Sequence, residues 1–102
     1  MNQPTQVKVG ATVYTIEDMH PIVDKLGDEW GNADYCANKI TISTKLSTSR
    51  YREVLLHEIF HCIFYEWDMQ PEDAEERTVS AFAFGMMAVM KDNPAVFKWL
   101  MK

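Results

Sequence analysis

Up to about residue 45 the apolar side chains come in short alternating runs, and beyond it they recur every three or four positions. The opening VKVGATVYTI reads as two β-branched runs around Gly10-Ala11, a hairpin in which glycine supplies the positive φ of the turn. Across residues 17–30 the periodicity weakens, and Pro21 opens a short helix carrying Ile22, Val23 and Leu26 that Gly27 stops. In NADYCANKITIS, turn residues precede Ile40 and Ile42 in period two, which predicts another strand pair ending near Ser43 and a sheet of three or four strands.

The stretch STKLSTSR offers Ser47, Thr48 or Ser49 as N-cap of a helix with Val54, Leu55, Ile59, Cys62 and Ile63 at helical spacing. That helix should end before Gln70-Pro71. Pro71 suits the first position of a second helix, whose acids Glu72, Asp73, Glu75 and Glu76 oppose the positive end of its dipole. The second helix runs to about Asp92, and Asn93-Pro94 ends it while capping a last short helix through Trp99 and Leu100. Phe82, Met86, Met87, Met90, Phe97 and Trp99 are read as core, with flexible methionines filling gaps.

Composition narrows the class. With 102 residues, 47% hydrophobic and 25% charged, the chain fits one folded domain over 1–102 and leaves little room for a second core. A net charge of −5 with scattered Lys and Arg leaves no basic surface to neutralise a phosphate backbone, so direct nucleic-acid binding is not expected. No apolar run approaches the roughly 18–20 residues that cross a bilayer, and MNQPTQVKVG lacks the regions of a signal peptide. The chain therefore reads as cytoplasmic and free of membranes. Cys36 and Cys62 are expected to stay reduced, and Cys62 to pack in the core, since helical neighbours such as His61 and Cys62 point about 100° apart.

The chemistry lies in LLHEIFHCIF, residues 55–64, where His57, Glu58 and His61 form H-E-x-x-H. Chance produces that pattern in a chain of this length on the order of once in a few hundred sequences. On a helix, residues four apart project together, so the two imidazoles can bind one cation. Imidazole nitrogens suit Zn²⁺ in a site that takes three protein ligands and a water. Glu58 is rotated by about 100° and flanks the metal, where its carboxylate can act as general base on the water. Idle imidazoles near Leu55 and Phe64 would be costly to bury, which weighs against purely structural histidines. The third ligand falls to the start of the second helix. If that helix packs antiparallel on the first with Val79, Ala83 and Met86 inward, Glu76 lies in line with Ala83 at a spacing of seven and ranks ahead of Glu75.

HEIFH followed by EERTVSAFAFGMM resembles the small metallopeptidases of the ImmA/IrrE type, or minimal gluzincins, many of them phage- or prophage-encoded. The similarity covers roughly residues 31–100. Their second helix carries a pattern close to E-x-x-A-N-x-F-A, and Glu76, Val79, Ser80, Phe82 and Ala83 stand at those places. The resemblance thus also implies Glu76 as the glutamate ligand. Val79 and Ser80 replace the usual alanine and asparagine, no DNA-binding helix-turn-helix is visible, and KDNPAVFKWL resembles the ending of small phage proteins. The fold implied is α+β and minimal zincin-like: a small, mostly antiparallel sheet packed on the metal-binding helix and a second long helix. The strand at about residues 39–43 would line the cleft and pair with an extended substrate.

The expected function is a zinc-dependent metallopeptidase acting on a protein or peptide in the cytoplasm, with His57, His61 and Glu76 holding Zn²⁺ and Glu58 as general base. One alternative keeps the metal without the chemistry, as a zinc-stabilised module that binds a peptide or protein. Another is a metal-free helical interaction protein working through its methionine-rich face. His20, beside Pro21, reads first as a surface histidine, and neither it nor Tyr35 or Tyr65 is singled out by the sequence as an oxyanion stabiliser.

Overall fold

The computed structural model describes residues 3–19, 30–69 and 75–102, apart from the side chains at 75, 76, 79 and 80. His20, the helix expected over 21–27 and the predicted start of the second helix at Pro71 lie outside the described residues.

Strand β1 (Gln6–Val9) runs antiparallel to β2 (Thr12–Met19), with Val9 opposite Thr12 across Gly10-Ala11. Gly10 takes φ 62°, the left-handed conformation that such a turn asks of its first central residue and that only glycine adopts without strain. The second antiparallel pair is β3 (Gly31–Asp34) with β4 (Lys39–Ser43). In its turn, Asp34 Oδ1 accepts hydrogen bonds from the backbone N–H groups of Cys36 and Ala37, both at 3.0 Å. A parallel pairing of β2 with β4 joins the two hairpins into one sheet, in the order β1-β2-β4-β3. The sheet is mixed, and its two hairpins make it mostly antiparallel, as expected. The role foreseen for residues 39–43 is not available to them, because β4 is bonded on both sides. Among the described residues, β3 is the edge strand on that side.

One face of the sheet is apolar in period two. Val7, Val9, Tyr14, Ile16, Ile40 and Ile42 are buried there, and α1 (Thr48–Glu66) covers them with Val54, Leu55, Ile59, Cys62 and Ile63. Each such aliphatic side chain contributes about 1.5–3 kcal/mol on full burial. Ser47 caps the helix, its hydroxyl accepting the N–H of Arg50 at 3.3 Å. The other end stops at Trp67, followed by Asp68 at φ 50°.

Helix α2 (Glu75–Asp92) meets α1 where Phe82 packs on Phe60 and Phe64, with ring centroids 5.3 and 5.7 Å apart, and its end reaches β1 through the Lys8–Asp92 ion pair at 3.1 Å. Gly85 is the point of close approach: a Cβ there would stand 2.7 Å from Cγ2 of Ile63. The inward stripe is therefore Phe82, Gly85, Met86 and Val89. Ala83, expected inward, is exposed, and Met87 and Met90, expected in the core, are 54% and 45% exposed. The gap at Gly85 admits Ile63 and Trp67 and turns the neighbouring positions outward. Among the described residues, no helix is long and apolar enough to cross a membrane.

Asn93 precedes α3 (Pro94–Leu100) but its side chain does not cap that helix. Instead Oδ1 accepts the Lys8 N–H at 2.8 Å, while Nδ2 donates to the carbonyls of Lys8 at 2.7 Å and Val89 at 2.8 Å. The amide thus occupies the open edge of β1. Trp99 is buried, edge-on to Tyr51, and Phe97 is half-buried, as the core reading expects. A capping role tolerates Asp as well as Asn, but the edge clamp needs the amide donors. Asn93→Asp should accordingly lower unfolding free energy by about 1–2 kcal/mol in urea titrations, and unchanged stability would return Asn93 to an ordinary cap.

Candidate metal centre

The burial of Leu55, Ile59, Cys62 and Ile63 fixes how α1 is rotated on the sheet, and that rotation decides where the polar side chains go. His57 and His61 emerge on an exposed flank, whereas Glu58 is turned inward and keeps only 7% of its surface. The imidazoles thus avoid the apolar face, and the expected burial cost near Leu55 and Phe64 does not arise. Their Nε2 atoms face each other at 3.0 Å, with ring centroids 4.7 Å apart. Two nitrogens on one tetrahedral zinc, at bond lengths of about 2.0–2.1 Å, stand roughly 3.3 Å apart. The pair is therefore already close to the spacing that one cation requires.

Glu58 lies against β3. A Cβ on Gly31 would come within 3.2 Å of Glu58 Oε2 and 2.7 Å of Val54 Cγ1, so glycine at the start of this strand lets the carboxylate and the strand approach. A cleft of about 460 Å³ opens beside them, lined by Trp30, Gly31, Arg50, Val54, His57 and Glu58. Arg50 spans its mouth, 5.4 Å from the Trp30 ring centroid and 2.7 Å from Glu53. Motif reasoning passed over Trp30, Gly31 and Arg50. The signal was a glycine opening an apolar-poor strand, which marks a close backbone approach only once its neighbour is known.

On the other flank Tyr35 stacks on Tyr65, centroids 4.1 Å apart and planes 3° from parallel, and the Tyr35 hydroxyl donates to the His61 carbonyl at 3.4 Å. Burial, with smaller effects from Cys62, Glu58 and Tyr65, raises the Tyr35 phenol above its ordinary value, so it keeps its proton as a donor. Cys62 is buried, and desolvation pushes its thiol up to about 12. A protonated thiol turned into the core is no ligand. Both cysteines are free, with Cys36 exposed in the β3–β4 turn.

Among the described residues, no third His, Cys, Asp or Glu joins the imidazole pair. Glu75 and Glu76 occupy the first turn of α2, with side chains outside the described set. Position 76 stands seven before the exposed Ala83, and position 75 stands seven before Phe82, which packs on α1. The inward stripe through Ala83 therefore no longer separates Glu76 from Glu75. No protein-family model, no curated protein and no solved structure matches the chain.

The two cysteines provide a direct test of this arrangement. An aromatic disulfide reagent should modify Cys36 rapidly in the native protein and Cys62 only on unfolding. Because the folded value of Cys62 is raised from 9.0 to about 12, the folded state holds a proton that the unfolded chain releases. Its contribution to stability is complete below pH 9 and is lost as pH climbs towards 12. Urea midpoints should therefore fall above about pH 9, and rapid modification of both thiols at neutral pH would contradict this placement of Cys62.

Proposed function

We propose that the chain is a zinc-dependent metallopeptidase similar to the ImmA/IrrE type, hydrolysing peptide bonds of a cytoplasmic protein. The observation that carries this reading is the pair of Nε2 atoms 3.0 Å apart beside the buried Glu58 carboxylate. His57 and His61 supply two ligands, and Glu76 or Glu75 from the first turn of α2 supplies the third. Zinc, when bound, would polarise a carbonyl and lower the pKa of its water to about 7.

The chain's own groups do the rest. Glu58 accepts a proton from the attacking water and passes it to the departing amine. Its inward position against Gly31 holds the carboxylate in one orientation and excludes bulk water from one side. β3, the outermost strand among the described residues on that side, enters the same cleft at Gly31, and an extended peptide can add along it as a further strand. The Tyr35 hydroxyl, held by the Tyr65 stack, donates weakly to the His61 carbonyl and would turn from it to meet charge developing on a substrate carbonyl oxygen.

Protein purified without chelators should retain about one equivalent of zinc, as three protein ligands imply. Glu58→Gln should keep that zinc and lower turnover by about 10²–10⁴-fold, the span usual for a general base. Cleavage products of a cytosolic extract, compared between wild type and this variant by mass spectrometry of new N-termini, provide the readout. Equal cleavage by both proteins would remove Glu58 from the mechanism. Zinc retention and partner capture without any cleavage would favour the binding-module alternative, and less than about half an equivalent of zinc would favour a metal-free interaction protein.

A further inference from the structure

The imidazole pair is bordered by two cavities of different character. The one beside Glu58 has been described. The other, about 590 Å³, is lined by Tyr35, His61, Phe64, Tyr65, Glu66 and Asp68 among others. Phe64 and Tyr65 are 41% and 56% exposed, and the Tyr35–Tyr65 stack forms a flat aromatic wall. Glu66 is half-buried. Its Oε1 accepts the Thr12 hydroxyl at 3.0 Å and its Oε2 the Tyr14 hydroxyl at 2.6 Å. Both donors are neutral, and Glu66 forms no ion pair with any described residue.

A carboxylate held in place by two hydroxyls, facing a cavity of exposed aromatic rings, combines the two features that recognise an organic cation. The charge attracts a guanidinium or ammonium group, and the ring faces stack on it or on its aliphatic stem. An apolar ligand would displace water from the carboxylate and offer only the two neutral hydroxyls in its place, so the cavity favours a cation. We propose that this cavity is a specificity subsite for a basic side chain, arginine or lysine, of the bound peptide, with Glu66 as the residue that determines the preference. The assignment of the bound molecule as a substrate rests on the peptidase reading; the binding preference itself does not. His61 links the two sites: it contributes a ring nitrogen to the pair and also lines the cavity.

The test uses two pools of acetylated, amidated heptapeptides, randomised at six positions and carrying arginine or its neutral isostere citrulline at the centre. Binding to the full chain with Glu58→Gln, which stops turnover, is measured by competition against a fluorescent arginine peptide. The arginine pool should compete about tenfold more strongly than the citrulline pool. Adding Glu66→Gln, with folding checked by circular dichroism, should bring the two pools within about twofold. Tyr65→Ala, at an exposed position, should weaken the preference severalfold through loss of the aromatic wall. Glu17→Gln, which removes an exposed carboxylate of β2 that lines neither cavity, should leave the preference unchanged and so separates the subsite from attraction to the overall charge. Equal competition by the two pools would overturn the subsite, as would a preference that survives Glu66→Gln or is lost equally in Glu17→Gln. A protein that shows the preference but never cleaves would lose the peptidase reading and keep the subsite; one that cleaves without the preference would do the reverse.

Discussion

The docking of α1 on the sheet is the interaction from which the rest of the molecule follows. Leu55, Ile59, Cys62 and Ile63, all fully buried, lock into the apolar face made by Val7, Val9, Tyr14, Ile16, Ile40 and Ile42. A helix so held has no freedom to rotate. Positions 57 and 61 must then emerge together on the flank, and position 58 must turn towards β3. Removing one of these aliphatic side chains would cost about 2–5 kcal/mol, a large share of the stability of a domain this size. The side chains that define the candidate site contribute little to that anchoring, and their geometry is set for them by the core.

The two sides of the helix answer different demands. The imidazoles are exposed, which suits ligands that must be reached by a cation and by a peptide. Glu58 is buried, and a carboxylate in that position is costly to desolvate unless its surroundings are prepared for it. Gly31 prepares one side by having no Cβ. The arrangement places a cleft on the Glu58 side and an aromatic cavity on the His61 side, with β3 nearby. On the proposed reading, a peptide lying across the pair would meet the hydrolytic groups at the centre and the basic subsite on the His61 side.

Much of this was legible in the chain. The Gly10 hairpin, the turn before β4 with Asn38 at positive φ, and the Ser47 cap are local signals, decided by φ preferences and short hydrogen bonds that residues carry with them. The H-E-x-x-H spacing converted directly into geometry because a helix has a fixed repeat. What failed depended on contacts distant in sequence. Local alternation marks β4 as a strand but does not say that it pairs with β2 and becomes internal. Ala83 and Met87 have helical spacing, yet Gly85 meeting Ile63 sets the rotation of α2 and leaves both exposed. Asn93 looked like a cap because a proline follows it, and its amide was claimed by Lys8, eighty-five positions away. Gly31 carried no recognisable pattern at all, since its meaning lies in Glu58.

The measurement that bears most directly on the account is the zinc K-edge absorption spectrum of the zinc-loaded chain, beside that of a His57→Ala, His61→Ala double variant. Two imidazoles should appear in the first coordination sphere at about 2.0–2.1 Å, the remaining positions filled by oxygen, with that signature absent from the variant. A spectrum without histidine scattering, or one identical in the two proteins, would contradict it.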